Sequence, residues 1–252
     1  MNYTQQELMV AAAAREIKDG EIVFVGMRLP LIAFAVAKSL HAPNAVGLFE
    51  CGLVRDTPSR ELLYTMADPP NVIGATWATT LSNVMGLMAT GWIDLGFIGG
   101  AQIDRYGNLN TTAIGPDSRK PATRLPGSGG GADIASLAKR LAIIMAHEKR
   151  RFVERVDYIT SPGYGTGKGW RATAGLPRGG PSALITTLAI LRFDETGEAY
   201  LASYHPGSSV EEVKANTGWD LKVAADVRET EAPTADELRF IREYDPEGFW
   251  TR

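Results

Sequence analysis

The stretch that decides the fold is "EIVFVGMRLPLIAFAVAKSLHAPNAVGLFECGL", residues 21–53, in which two apolar runs flank a helical pattern. The first run, residues 21–26, is rich in β-branched side chains and ends at a glycine. Residues 31–43 then carry apolar side chains at helical spacing, and a second apolar run covers residues 46–49. Strands that are apolar on both faces and are joined by a helix predict a parallel sheet covered by helices.

The same alternation continues along the chain and predicts one α/β domain over residues 1–252 with an open, mostly parallel sheet. Further strands are predicted at residues 93–100, 142–148 and 156–163, and further helices at 4–20, 83–92, 131–141, 208–218 and 234–246. Residues 183–207 differ, because they alternate, turn at "DETGE" and alternate again. That pattern predicts an antiparallel hairpin at one edge of the sheet.

Composition limits the classes of function. The chain has 252 residues, 44% hydrophobic and 22% charged, with a net charge of -3, so a general nucleic-acid binder with a basic face is not expected. The single cysteine, Cys51, excludes an intrachain disulfide and predicts a reducing, cytoplasmic location. The charged N-terminal pattern predicts neither a signal peptide nor a membrane span, and the scattered histidines predict no metal site.

Glu50 is the most unusual residue of the decisive stretch, because it ends a buried strand without an intervening loop. An ionised carboxylate is costly to desolvate at such a place unless something compensates. It is either a partly buried acid paired with a cation from elsewhere, or a nucleophile or general base in a dry pocket. Cys51 is a second candidate nucleophile, but a buried thiol without a neighbouring histidine is usually inert.

Three glycine-rich or polar segments follow other predicted strands or precede a helix. The run "PGSGGGADIA" does not follow a strand, which argues against a dinucleotide site, and its backbone N–H groups suit a phosphate or an oxyanion, although a flexible loop is the alternative. Gln102 and Asp104 in "GGAQIDRYGN" either fix a polar substrate or belong to a turn. Lys168 and Arg171 in "SPGYGTGKGWR" are either solvated charges on a mobile loop or an anion contact.

Six segments in order resemble the family I CoA-transferases, in particular the β subunits of the glutaconate CoA-transferase type, over nearly the whole chain. The resembling segments are "VGMRLPLIAFAVAK", "ECGL", "FIGGAQIDRYGNLNTTAIG", "TRLPGSGGGADIA", "HEKRRFVERVDYITSPG" and "YLASYHPGSSVEEVKANTGWDL". The resemblance implies a Rossmann-like CoA-transferase fold and an obligate α partner subunit. It also implies a coenzyme A thioester as substrate, with no tightly bound cofactor.

Within this resemblance Glu50 of "ECGL" matches the catalytic glutamate. It would attack an acyl-CoA to give a mixed anhydride and then a glutamyl-CoA thioester, from which a small mono- or dicarboxylic acid takes the CoA. Gly129, Gly130 and Gly131 match the loop that binds the thioester oxygen. Two positions depart from the family pattern, since Arg28 replaces a glycine and Cys51 a serine.

Arg28, at the mouth of the first strand, either binds a substrate carboxylate or blocks the original one. Together with Cys51 and Gln102 it is a candidate substrate-binding residue. Related two-subunit enzymes on the same scaffold are a methylglutaconyl-CoA decarboxylase, which carries a cysteine near this place instead of the glutamate, and a ring-opening C–C hydrolase. The alternative function is consequently a decarboxylase or hydrolase without a covalent CoA adduct. A third alternative is a non-catalytic subunit that only completes its partner's pocket.

Overall fold

The predicted strand–helix–strand pattern of residues 21–53 is present in the computed structural model, which describes residues 2–176 and 178–252. Its two strands pair in parallel, with Phe24 opposite Leu48. Beyond the first residue of each strand, which is half-buried, the apolar side chains of both strands are almost fully buried. Burial on both faces is the reason that these strands form part of a parallel sheet and not an exposed hairpin.

The chain divides into two units. The first comprises the described residues up to Phe97 together with Ala232–Arg252, and the second comprises Ile98–Glu231. The prediction of one domain over residues 1–252 stays a prediction.

The first unit contains a sheet whose strand order is β5-β1-β2-β3-β4. Its elements are α1 (Gln5–Arg15), β1 (Ile22–Phe24), α2 (Leu29–Leu40), β2 (Val46–Phe49), β3 (Leu53–Arg55), α3 (Pro69–Val72), β4 (Trp77–Ala78), α4 (Leu81–Ala89), β5 (Leu95–Ile98) and α8 (Ala235–Tyr244). Strand β1 pairs in parallel with both β2 and β5. Strand β3 is antiparallel to both β2 and β4, so the sheet ends in a short meander.

Helices α1 and α8 begin in the same way and are joined by ion pairs. Thr4 and Thr234 each form a capping box with the glutamate three residues later, Glu7 and Glu237. Each of these glutamates also pairs with an arginine of the other helix, Glu237 with Arg15 and Glu7 with Arg242. Each of the two glutamates thus caps its own helix and also forms an ion pair with the other helix. These ion pairs hold the C-terminal helix against the N-terminal one.

The second unit contains a sheet with strand order β14-β13-β12-β11-β10 and two short strand pairs. Its elements are β6 (Gln102–Ile103), β7 (Leu109–Asn110), β8 (Ala113–Ile114), β9 (Thr123–Arg124), α5 (Gly131–Leu137), β10 (Arg140–Met145), α6 (Trp170–Thr173), β11 (Pro181–Thr186), β12 (Ala189–Phe193), β13 (Ala199–Tyr204), α7 (Val210–Ala215) and β14 (Lys222–Glu229). The predicted α/β class, with helices flanking a mostly parallel open sheet and an antiparallel hairpin, is confirmed.

The second unit differs from the predicted pattern at several places, among them the hairpin and residues 156–163. The hairpin turning at "DETGE" is confirmed as β12 and β13, but β14, which was not predicted, pairs in parallel outside it. The strand predicted at residues 156–163 is wrong. The N–H groups of Thr160 and Ser161 both donate to the carbonyl oxygen of Leu109, and only a single bridge joins Ser161 to Leu109.

Two buried histidines of the second unit are held by hydroxyl and carbonyl groups. His147 lies between the hydroxyl groups of Thr186 and Thr217 and is stacked on Phe152 at a ring distance of 3.7 Å. His205 hydrogen-bonds the Thr186 carbonyl oxygen at 2.7 Å. Burial lowers the pKa of His147 to about 3 and that of His205 to about 4. Both rings are therefore neutral in the folded chain.

We expect the free energy of unfolding to fall as the pH drops from 6.5 toward 4. Over this range the two histidines become protonated in the unfolded chain, whereas their buried rings stay neutral in the folded chain. Each histidine contributes about 2 kcal/mol of this loss between pH 6.5 and 5. Urea unfolding at pH 7 and pH 5 measures it, and His205→Gln, whose amide can still donate to Thr186, should show a smaller difference. NMR titration of ring-labelled histidines should show neither ring protonating above pH 5. A normal titration near pH 6.5 would contradict the explanation.

Candidate active site

Glu50 and Cys51 are the two central residues of a tight turn that joins β2 to β3. The Gly52 N–H donates to the Phe49 carbonyl oxygen at 3.0 Å, and Phe49 faces Leu53 across the antiparallel pair. The sequence predicted a strand that ends at Glu50, and the structure adds that the chain reverses there at once. A carboxylate at the apex of such a turn is partly buried and is held by a backbone with little freedom.

Gly52 holds this turn against the segment that precedes α4. Its φ is +102°, and an added Cβ would lie 2.5 Å from the Thr79 carbonyl oxygen. The Thr79 N–H in turn donates to the Gly52 carbonyl oxygen at 2.8 Å. Only glycine meets both conditions, a left-handed backbone and contact with another backbone, so Gly52 determines where Glu50 lies.

The Cys51 thiol is occupied as a hydrogen-bond donor. Its sulfur lies 3.1 Å from the Met66 carbonyl oxygen. Partial desolvation raises the pKa of the thiol, and the charge of the adjacent Glu50 raises it further. The thiol is therefore protonated at neutral pH, which favours Glu50 over Cys51 as the nucleophile of this turn.

Arg28 lies beyond the end of β1, beside the turn that carries Glu50, since Val25 N–H donates to the Leu48 carbonyl oxygen at 2.9 Å. It is the N-cap residue of α2, and its φ and ψ are +70° and -120°. Among the described residues it is the one non-glycine residue with a positive φ. A side chain in such a conformation costs about 1–3 kcal/mol, which is consistent with the glycine that the family pattern has at this position.

Arg55 organises the loop next to the turn that carries Glu50, a role that was not predicted from the sequence. The side chain is buried and donates to the carbonyl oxygens of Thr57, Pro58, Asn71 and Ile73. A guanidinium that is paired with backbone carbonyls in this way fixes the path of the loop between β3 and β4. Its sequence neighbours contain no signal for this role, because the acceptors are up to 18 residues away.

Gln102 lies in a buried hydrogen-bond cluster of the second unit. Its amide oxygen accepts from the Asn110 side chain at 2.7 Å and from the Asp157 N–H at 3.2 Å, and its amide nitrogen donates to the Asp157 carboxylate. Asp104, from the same segment, is tied to Asn108 in a similar way, and burial raises its pKa. Both polar side chains thus support local backbone, and the role of Gln102 in substrate binding stays a prediction.

The glycine run forms a turn that leads into α5. The Gly131 N–H donates to the Ser128 carbonyl oxygen at 2.8 Å, so it is engaged within the turn. Gly129 is exposed with a φ of +47°, and within the part of the chain that the structure describes its N–H has no acceptor. Gly130 is buried. The oxyanion role of these three glycines stays a prediction.

Arg171 is neither a solvated charge nor an anion contact, so both interpretations of it from sequence are wrong. It is buried and donates to backbone carbonyl oxygens, among them those of Gly163 and Ala135. Since Ala135 lies in the last turn of α5, this guanidinium joins the end of that helix to the loop that follows residue 161.

The predicted site residues fall into two groups. Arg28, Glu50 and Cys51 lie together at the carboxyl ends of β1 and β2 in the first unit, where ligands of parallel sheets usually bind. Gln102 and the glycines 129–131 belong to the second unit. Within residues 2–176 and 178–252, no cluster of three or more histidine, cysteine, aspartate or glutamate side chains is arranged to hold a metal. In the same residues no helix has the length and apolar character to cross a membrane.

A family model described as Coenzyme A transferase matches residues 6–216 of the chain. The chain therefore belongs to the coenzyme A transferase family, and the family predicted from its six segments is confirmed. It is 43% identical over 255 residues to the B-type subunit of the glutaconate CoA-transferase of Acidaminococcus fermentans, covering 96% of this chain and 92% of that protein. It is 40% identical over 242 residues to the B-type subunit of the 3-oxoadipate CoA-transferase of Pseudomonas knackmussii, covering 95% and 92%.

Two solved structures are similar over nearly the whole chain. The crystal structure of the glutaconate coenzyme A-transferase of A. fermentans matches with a TM-score of 0.92 at 40% identity, and it covers 100% of this chain and 98% of that chain. The decarboxylase AibA/AibB matches with a TM-score of 0.85 at 27% identity, and it covers 98% and 97%. The same fold therefore occurs in a transferase and in a decarboxylase.

We expect Gly52→Ala to destabilise the chain more than Gly20→Ala does. Both glycines have a positive φ, but an added Cβ at Gly20 meets nothing within 4 Å. Gly20→Ala should cost about 1–2 kcal/mol for the backbone alone, and Gly52→Ala about 1–3 kcal/mol more for the contact with Thr79. Urea unfolding of the two variants measures the difference. Equal losses would show that Thr79 gives way at no cost.

Proposed function

We propose that this chain is the β subunit of a two-subunit CoA-transferase that moves CoA between small carboxylic or dicarboxylic acids, with Glu50 as the nucleophile. The observation that carries the proposal is the position of Glu50 at the apex of the β2–β3 turn, next to a thiol that stays protonated. The similarity to the B-type subunits of two CoA-transferases over more than nine-tenths of the chain supports it.

The proposed reaction has four steps. A carboxylate oxygen of Glu50 attacks the thioester carbon, the C–S bond breaks, and the CoA thiolate leaves with the electron pair. The thiolate then attacks the Glu50 carbonyl carbon of the mixed anhydride, which releases the donor acid as a carboxylate. The acceptor carboxylate attacks the Glu50 carbonyl carbon of the glutamyl-CoA thioester, the C–S bond breaks, CoA leaves again as the thiolate, and a second mixed anhydride forms. CoA attacks the acceptor's carbonyl carbon in that anhydride, and Glu50 is regenerated.

The glycine turn supplies the proposed stabilisation of negative charge in these steps. The N–H groups of Gly129 and Gly130 would donate to the thioester oxygen as it gains charge, an effect of about 3–4 kcal/mol per donor in comparable sites. The exposed Gly129 N–H without an acceptor among the described residues supports this role. Gly131, whose N–H is engaged with Ser128, would contribute only if the turn rearranged. Coenzyme A enters as a thioester substrate, and no tightly bound cofactor is proposed.

We also propose an obligate α subunit as the partner. The names of the relatives, each of which is one subunit of its enzyme, support it, and so does the surface of the first unit between residues 72 and 92. Large apolar side chains there are 45–72% exposed, namely those of Val72, Ile73, Trp77, Leu81 and Trp92. Such a concentration of exposed apolar groups is typical of a surface that another chain covers.

The single cysteine supports a cytoplasmic location.

The first experiment tests Glu50 in the chain co-produced with an A-type CoA-transferase subunit from the same genome. Glutaryl-CoA, glutaconyl-CoA and methylglutaconyl-CoA are supplied with and without acetate, and the CoA products and the intact β-chain mass are followed by mass spectrometry. We expect acetyl-CoA and a CoA adduct on the β chain, both lost in Glu50→Ala. Asp56→Asn, which changes an exposed carboxylate six residues away, is the matched control and should retain both.

Other outcomes would contradict this mechanism. Release of CO2 without an acetate requirement or an adduct would indicate a decarboxylase, and acyl-CoA hydrolysis without an adduct would indicate a hydrolase. Full activity of Glu50→Ala would exclude Glu50 as the nucleophile, and full activity retained after Cys51→Ala is added would make this chain a non-catalytic subunit.

A second experiment tests the apolar surface. We expect Ile73→Glu to weaken the association with the α subunit at least tenfold, because an ionised group would lose its water in a covered apolar surface. Val223→Glu is the matched control, since Val223 is also an exposed apolar residue but lies on β14. Co-purification and sedimentation velocity measure the association. Equal behaviour of the two variants would place the partner elsewhere.

A further inference from the structure

The C-terminal segment after α8 is fixed to the first unit by one buried carboxylate. Asp245 accepts hydrogen bonds from the N–H groups of Phe249, Trp250 and Thr251 at 2.7, 3.0 and 3.1 Å, and from the Thr251 hydroxyl at 2.9 Å. The Thr4 hydroxyl donates to the Thr251 carbonyl oxygen. A segment held at this many points presents its side chains in one arrangement.

Trp250 connects this segment to the loop beside the Glu50 turn. Its indole N–H donates to the Leu63 carbonyl oxygen at 3.0 Å. Phe249 packs edge-to-face on Tyr64, with ring centres 4.7 Å apart. Three residues beyond Leu63, the Met66 carbonyl oxygen accepts the hydrogen bond of the Cys51 thiol. The loop 63–66 thus contacts the C-terminal segment at Leu63 and the Glu50 turn at Met66.

The guanidinium of Arg28 lies over the ring of Trp250, with its central carbon 5.3 Å from the ring centre. Among the described residues, no side chain forms an ion pair or hydrogen bond with this guanidinium. A cation over an aromatic face is attracted by the ring and is held near it. Arg28 is therefore a positioned cation whose N–H donors no described side chain occupies, beside the strand end that carries Glu50.

We propose that Arg28 binds the second, remote carboxylate of a dicarboxylic acyl group, and that Trp250 is the positioning residue that orients it. This inference rests on the function proposed above and adds the basis of its specificity. A carboxylate suits the two parallel N–H donors of a guanidinium, whereas a methyl group at the same place leaves them unpaired. The site would accordingly prefer glutaryl-CoA to butyryl-CoA, which differs by that carboxylate.

The test compares kcat/KM for glutaryl-CoA and butyryl-CoA, with acetate as acceptor, in the complex with the α subunit. Arg28→Gly suits the positive φ, so it should fold, and it should lower kcat/KM for glutaryl-CoA ~100-fold but that for butyryl-CoA less than ~3-fold. Arg60→Gln, at an exposed arginine of the neighbouring loop, is the matched control for general charge and should change neither value.

Trp250 is tested by its effect through Arg28. Trp250→Leu should lower kcat/KM for glutaryl-CoA ~10-fold, mainly through KM, whereas Trp250→Phe, which keeps an aromatic face, should remain within ~3-fold. In the Arg28→Gly background, Trp250→Leu should have no further effect on glutaryl-CoA. Additive losses in the double variant would assign Trp250 a purely structural role and overturn the positioning proposal.

The failure of this inference is distinguishable from the failure of the proposed function. The intact mass of the β chain after incubation with butyryl-CoA reports the Glu50 adduct independently of Arg28. If the adduct forms but Arg28→Gly affects both substrates equally or neither, the specificity proposal is overturned and the transferase mechanism stands. If no adduct forms with either acyl-CoA in the unchanged complex, the transferase mechanism itself is overturned.

Discussion

The contact of the Gly52 backbone with the Thr79 carbonyl oxygen is the constraint on which the candidate site of the first unit depends. It fixes the turn between β2 and β3, which has only Glu50 and Cys51 as central residues, so that Glu50 is held at the apex. The same contact brings the start of α4 to the turn. A carboxylate that reacts as a nucleophile has to be held in a fixed position, because misplacement by about an ångström removes much of the rate acceleration that proximity provides.

Arg28 and Glu50 are a basic and an acidic residue at neighbouring strand ends. Arg28 nevertheless forms no ion pair with a described side chain. The guanidinium lies over the ring of Trp250, and the backbone of Arg28 has a conformation that glycine would adopt at less cost. Strain of this kind persists only where the surroundings hold the residue firmly. Here the surroundings are α2, which begins directly after Arg28, and the C-terminal segment, which is fixed by Asp245.

Much of the fold could be predicted from local patterns. The capping box of Thr4 and Glu7, the strand pair β1 and β2, and the hairpin at "DETGE" each depend on residues close in sequence. The segment 156–163 could not be predicted correctly, since an apolar alternation favours a strand but its backbone instead bonds Leu109, far earlier in the chain. The burial of Arg171 could not be predicted for the same reason. A charged side chain is usually exposed, and this one is buried only because backbone carbonyl groups that the fold brings to it accept its hydrogen bonds.

The sequence by itself determined the α/β class, the family, and the identity of Glu50 as the unusual carboxylate at a strand end, because periodicity and short motifs are written in neighbouring residues. Only the tertiary structure decided that the Cys51 thiol donates its hydrogen bond to Met66, that Gln102 is enclosed in a hydrogen-bond cluster, and that Arg28 meets Trp250. Arg28 and Trp250 are separated by more than 220 residues, and no local pattern encodes a contact of that kind. Such contacts arise only when packing brings distant strands, loops and the C-terminal segment to one place.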